Sequence, residues 1–205
     1  MYTQEIAKTI NCPQCGDRLE IYFRWTKLIA CNSCKSSIFL EDNGTLTIGE
    51  SSMLSPEPSL LKLYEPFSIE KRYYFPIGKL RYSYGRGFWE EWFLKDDKNQ
   101  EFWLSIDEGD FVLQQKISMK LPFSNPLFAK VGKKYGEYFV SERGTGTLVG
   151  FEGELPENVT MGASHFYLHL SLDRGKLVTV EVTGKKYETF LGKWIDPLRI
   201  KRHDR

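Results

Sequence analysis

Residues 73–104 read YYFPIGKLRYSYGRGFWEEWFLKDDKNQEFWL, and the fold class follows from this stretch. In KLRYSY, Leu80, Tyr82 and Tyr84 alternate with Lys79, Arg81 and Ser83. Successive strand side chains point to opposite faces, so period-two alternation marks a half-buried strand. Gly85 and Gly87, with Arg86 between them, supply a turn. Residues 88–94 make a second strand, DDKNQ at 96–100 a polar turn, and residues 102–106 a third strand. Three adjacent strands with an apolar face can nucleate a sheet, whereas a lone hairpin is marginal in water.

Toward the C-terminus the pattern continues. Residues 107–117 predict a turn and a fourth strand. Residues 118–134, with Pro122 and Pro126, predict a loop holding a short apolar stretch at 127–131. YGEYFVSE, GTLVGFEGEL, HFYLHLSL, LVTVEV and KYETFL then predict a second group of strands. In HFYLHLSL, Phe166, Leu168, Leu170 and Leu172 are expected to point inward, as are Val178, Val180 and Val182 in the next strand. Asp173, Arg174 and Gly175 have the composition of the hairpin turn between them. Residues 193–200 have room for a short helix. Strand following strand at short intervals gives a mainly β fold, an antiparallel β-barrel or β-sandwich over residues 67–200. Residues 201–205 read as a basic, solvated tail that includes His203.

Toward the N-terminus, residues 1–48 carry all four cysteines, Cys12, Cys15, Cys31 and Cys34, as CPQC and CNSC. Zinc takes four thiolates in a tetrahedron, and each CxxC turn presents two sulfurs to one ion. The 15-residue spacer suits a small hairpin, so the module reads as a zinc ribbon with a structural zinc ion. All four thiols are then ligands, and none is left as a nucleophile. Within residues 1–50, Lys8, Arg18, Arg24, Lys27 and Lys35 face Glu5, Asp17, Glu20, Glu41, Asp42 and Glu50. Phosphate binding needs a basic excess, so docking on a protein is favoured over nucleic acid for this ribbon. Residues 49–66, with Pro56, Pro58 and Pro66, read as a linker whose Leu60, Leu61 and Leu63 can dock on the main domain.

Residues 67–198 resemble a bacterial family, the domain of unknown function 4178. IGKLRY, WEEWFL, the following WLS, GFEGELP and YETFLGKWI carry the resemblance in order. It implies a zinc ribbon in front of a β-domain, and it implies no activity and no catalytic residues.

Composition bounds the rest. With 41% hydrophobic and 27% charged residues the chain is an ordinary globular one, and 15% aromatics suit a β core. A formal net charge of +1 gives no bias toward nucleic acid or membranes. No apolar run reaches the roughly 20 residues of a membrane span. MYTQEIAKTI lacks a signal-peptide pattern, so the expected compartment is the reducing cytoplasm.

No HExxH, GxSxG or Walker loop is present. SERGTGTL reads as a β-turn, and His165 and His169 as exposed or ladder-packed histidines. The remaining candidate is the acidic aromatic segment, Trp89, Glu90, Glu91, Trp92 and Trp103. Trp89 and Glu91 share one strand face, Glu90 and Trp92 the other. An aromatic beside a carboxylate suits a cation, such as a polyamine or a basic protein segment. A buried Glu90 or Glu91 is expected to pair with a base such as Arg72 or Arg81. The leading expectation is a non-enzymatic interaction or ligand-binding module. The alternatives are an enzyme on amine or peptide substrates using Glu90 and Glu152, and nucleic-acid binding through the ribbon and basic tail.

Overall fold

The computed structural model describes residues 4–184 and 186–203. The N-terminal part holds β1 (Lys8–Asn11), β2 (Arg18–Ile21), β3 (Leu28–Ala30), β4 (Ser36–Leu40) and β5 (Leu46–Ser51). Next come β6 (Phe67–Ile69), β7 (Arg72–Ser83), β8 (Phe88–Asp96), β9 (Glu101–Asp107) and β10 (Asp110–Ile117). After a crossover follow β11 (Lys134–Tyr135), β12 (Tyr138–Leu155), β13 (Ser164–Ser171), β14 (Lys176–Thr183), β15 (Lys186–Trp194) and β16 (Ile200–Arg202). No helix among the described residues is long and apolar enough to cross a membrane.

The choice between barrel and sandwich is decided by one pairing. The strands run β7-β8-β9-β10-β15-β14-β13-β12, every pair antiparallel, and β12 pairs back onto β7. That ring is a closed eight-stranded barrel, a size whose interior either fills with side chains or holds one small ligand. Closure brings β7 and β12 together at Gly78 and Gly153. A Cβ at Gly78 would overlap the Glu154 carbonyl oxygen, and Gly153 takes φ +72°, where a side chain is strained.

Three sequence expectations are corrected here. YGEYFVSE and GTLVGFEGEL form one long strand, β12, because bulges at Val140/Glu142 and Leu148/Gly150 bend it instead of breaking it. SERGTGTL therefore lies within that strand and is not a β-turn. Gly146 is there for space: a Cβ would collide with the Trp89 ring. Secondly, the apolar faces of β13 and β14 turn away from the barrel interior. Leu168, Leu170, Val178 and Val180 pack outside against Leu121, Ala129 and Val140, under the crossover. The opposite face, with His165, Tyr167, His169, Thr179 and Glu181, lines the interior. Alternation identified the buried apolar face, but burial under a crossover and burial inside a barrel look the same in sequence.

Thirdly, the tail is ordered through its described part, although Lys201 and Arg202 stay exposed as expected. β16 adds to the edge of the sheet at β6. His203 Nε2 lies 2.8 Å from Ser68 Oγ, its backbone N–H donates to Pro66 O, and its ring packs on Tyr73. Residues 204–205 of that tail lie outside the described residues. Just before it, residues 193–200 hold the end of β15 and a 3-10 turn at Pro197–Arg199, with Asp196 capping Leu198 N–H.

The ribbon is welded onto this barrel. β3 pairs with the end of β12 through Glu154↔Ile29 and Leu155↔Leu28. The buried Glu154 carboxylate accepts from Tyr22 N (2.9 Å), Phe23 N (3.0 Å) and Thr26 Oγ1 (2.7 Å). Burial raises its pKa, and these bonds oppose the shift. Phe23 of the ribbon packs with Phe75, Ile77 and Phe93 of the barrel. The segment after β5 is fixed as well: Ser52 Oγ bonds both N and O of Phe151, and Leu61 is buried in the outer core.

Candidate functional site

The four cysteines converge. Their sulfurs lie within 4.8 Å of one another, with no disulfide. Cys12 Sγ–Cys34 Sγ and Cys15 Sγ–Cys31 Sγ are each 3.7 Å apart. A tetrahedron of thiolates with metal–sulfur bonds of roughly 2.3 Å has edges of about 3.8 Å, so the set fits one metal ion. The local chain explains the fit. Each CxxC turn closes with a backbone bond to the first cysteine's carbonyl, from Gly16 N and from Lys35 N. Both donors take a left-handed conformation, Gly16 at φ +78° and Lys35 at φ +62°. Hydrogen bonding with the side chain and backbone of Ser36 brings Cys34 down to about 6, which favours its thiolate.

The second candidate is the barrel interior. A cavity of about 580 Å³ and a smaller one of about 50 Å³ meet at Glu91, His165 and Glu181, which line both. Strands on opposite sides of the ring supply these walls: β8 gives Glu91, β14 gives Glu181, β13 gives His165. Aromatic rings fill the space between. Tyr82 stacks on Trp89 at 4.9 Å and meets His165 at 4.6 Å, and Trp89 meets Tyr167 edge-on at 5.3 Å. Glu91, Asp107, Asp110, Glu142 and Glu181 line the smaller cavity, with no lysine or arginine among the described residues. In the larger one Glu188 is paired with Lys116, and Lys186 lies on the same wall.

The electrostatics follow from that imbalance. Burial pushes Glu91 up to about 7, against hydrogen bonds from Ser105 and Trp89. Burial, and then the negative charges of Glu91, Glu157 and Glu188, push Glu181 well above the usual carboxylate range. Burial takes His165 down to about 4, so the imidazole is neutral at pH 7 although Glu181 lies 3.7 Å away. Gln114 is 2% exposed and its Oε1 has no hydrogen-bond partner among the described residues.

Of the five residues singled out in the acidic aromatic segment, the structure gathers three. Trp89, Glu91 and Trp103 line the interior. Glu90 and Trp92 lie on the other face of β8, in the outer packing. Glu90 is buried and accepts from Arg81 Nη2 at 2.6 Å and from Trp92 Nε1 at 3.0 Å. Glu91 is buried too, yet among the described residues no base pairs with it; Ser105 and Trp89 supply its hydrogen bonds instead. Glu90 and Glu152, the carboxylate pair of the enzyme reading, both reach Lys79 Nζ, at 3.6 and 2.9 Å, and are bridged by it. Sequence reasoning missed Glu181 and Gln114. Their only signal was their position opposite the apolar residues of β14 and β10. It also read His165 as exposed or ladder-packed, and the structure buries it against the Tyr82 and Trp89 rings.

A closed antiparallel barrel with an acidic, aromatic interior, fused to a four-cysteine ribbon, defines the class of protein. A family model described as Domain of unknown function (DUF4178) matches residues 66–197, and the chain belongs to that family. No curated protein and no solved structure matches it.

Proposed function

We propose that the protein is a non-catalytic binding module whose barrel interior takes a cationic ligand and whose ribbon, held by a structural zinc ion, docks on a partner protein. Glu91 carries the ligand half of this reading. It is a buried carboxylate among aromatic rings, in a cavity of ligand size, with no cation paired to it among the described residues. A polyamine or a basic segment of a partner protein has the right charge. Calorimetric titration with spermidine and with a lysine-rich peptide tests it. Saturable heat with either supports the reading, and the absence of heat with these and with a primary monoamine at millimolar concentration removes it.

The docking half draws on the ribbon's hairpin, where Trp25 is 63% exposed with Arg24 stacked over its ring. Tryptophan and arginine are the residues most often central to protein interfaces. Such a surface suits a protein better than nucleic acid, since the ribbon has no basic excess; a salt-dependent gel shift at low ionic strength would reverse that preference. Thiols kept reduced for a metal fit the cytoplasm. One zinc per chain by elemental analysis is the expected content. Its removal by a chelator is expected to unfold the ribbon first, lowering the melting temperature with loss of amide protection in residues 8–48. Retention of full protection without metal would refute a structural zinc.

One observation favours a second reading, an enzyme acting on amine or peptide substrates. Glu91 near 7 beside Glu181 is in the range of a general acid–base pair. Turnover of a peptide or amine substrate that Glu91→Gln abolishes while binding survives would replace the binding module with an enzyme.

A further inference from the structure

The two cavities differ in size by an order of magnitude, and this bears on what kind of cation fits. About 50 Å³ is room for a small polar head group or a few waters, since one water needs about 10–15 Å³ of such space. About 580 Å³ is room for the body of a small molecule. We propose that the interior binds a primary amine with an apolar body, its ammonium seated between Glu91 and Glu181 and bonded to Gln114 Oε1. This rests on the cationic-ligand reading and narrows it.

Gln114 is the independent observation. Leaving a buried acceptor unsatisfied costs about 1–3 kcal/mol, and a ligand N–H donor would remove that cost. Gln114 lines the smaller cavity along with both glutamates, so a donor seated there is within reach of its amide after a small side-chain adjustment. An ammonium has three donors on one atom, matching the three acceptors. A quaternary ammonium has no donor for Gln114, and a planar guanidinium brings five in a fixed fork. His165 shares the wall and is neutral, so it does not repel the head group. Burial holds Glu91 and Glu181 toward their acid forms, and an adjacent ammonium would draw both back to carboxylates.

The body is apolar because of what lines the larger cavity. Leu80, Tyr82, Trp103, Leu148 and Phe190 line it, with a half-buried Val159. Lys116 and Lys186 share this wall with Glu101, Glu157 and Glu188, and Lys116 is paired with Glu188, so the apolar side chains and not charge repulsion select the body.

The test uses the full-length, zinc-loaded chain and three probes at pH 7: 2-phenylethylammonium, neutral 2-phenylethanol and spermidine. Binding is read by calorimetry and by tryptophan fluorescence, which senses Trp89 and Trp103. 2-Phenylethylammonium is expected to saturate below about 1 mM, with 2-phenylethanol and spermidine each at least about tenfold weaker. Glu91→Gln and Gln114→Leu are each expected to weaken it about tenfold, with an unchanged circular dichroism spectrum. Equal binding of 2-phenylethanol would overturn the proposal, as would a Gln114→Leu variant that folds and binds like wild type. Both results are read on chains that fold, and the three-probe comparison needs no variant. Saturation by spermidine but not by 2-phenylethylammonium would overturn this ligand class while leaving the cationic reading intact. Binding of neither would sink both.

Discussion

β8 carries the same two residue types on both faces, and the protein treats the faces in opposite ways. On the outer face Trp92 Nε1 donates to Glu90, and on the inner face Trp89 makes the corresponding bond to Glu91. Both glutamates are buried. The difference lies on β7. Arg81 stands beside Glu90 and Lys79 beside Trp92, on the outside. The inner neighbours of Trp89 and Glu91 are Tyr82 and Leu80, which bring no charge. Glu90 is therefore a completed ion pair that Lys79 extends to Glu152, with the Lys79 ammonium over the Trp92 ring at 5.1 Å. Glu91 keeps its desolvation cost and shows it as a raised pKa. A buried acid with its base beside it is structure; the same acid without one is where a cation belongs.

Removing the base from the finished face should have the largest effect. Arg81→Ala leaves Glu90 buried beside only Lys79, and takes away the bond from Arg81 to Ser55 O. Breaking a buried pair by deleting one partner typically costs about 3–5 kcal/mol. The expected result is an unfolding free energy lowered by that amount, seen in urea as a lower midpoint. Arg81→Met combined with Glu90→Gln should recover most of the loss, because no buried charge is then unpaired. Equal loss in the single and double variants would mean that packing, and not charge, makes the outer face.

Crowding the inner face comes next. Gly146→Ala places a methyl group where the Trp89 ring lies, and that ring is hemmed in by Tyr82, Tyr84 and Tyr167. Overpacking of this kind costs about 1–3 kcal/mol. A shifted tryptophan emission should accompany the lower stability. Unchanged emission would show that Trp89 does not press on β12.

The contrast between faces also explains what the sequence made legible. Period-two alternation in residues 79–94 placed both tryptophan–glutamate pairs on their correct faces, since strand geometry alone sets that. The cysteine spacing brought the four sulfurs to one point, because a CxxC turn has little freedom. Which face of the sheet becomes the inside was not legible. Closure depends on β12 meeting β7, two strands more than fifty residues apart in the chain, at Gly78 and Gly153. Without that pairing, the apolar row of β13 reads as the interior, and His165 and Glu181 read as surface. The crossover that covers Leu168 and Val180 looked like loop, although it supplies Leu121 and Ala129 to that outer core.

The smallest expected effect is the most direct probe of the inner face. In the folded chain Glu91 sits near 7, above the usual value of 4.5 for an unfolded glutamate. A raised acid is protonated in the folded state while the unfolded chain has lost its proton. Between about pH 4.5 and pH 7 the folded state thus binds more protons, and stability falls as pH rises, by up to about 1.4 kcal/mol per unit from this group. Below that window the contribution is fully present, and above it the cost is complete. Glu181, also raised, adds to the same slope. Glu91→Gln keeps the shape of the acid without its charge, so it should flatten the slope and gain about 1–2 kcal/mol at pH 8 over wild type. Glu90→Gln should do the reverse, stranding Arg81 and lowering stability at every pH in that range. Two neighbouring, nearly isosteric substitutions with opposite signs would establish that the faces differ in charge compensation. Matching signs in chemical denaturation from pH 5 to pH 8 would erase the distinction and, with it, the reason to look for a cation inside the barrel.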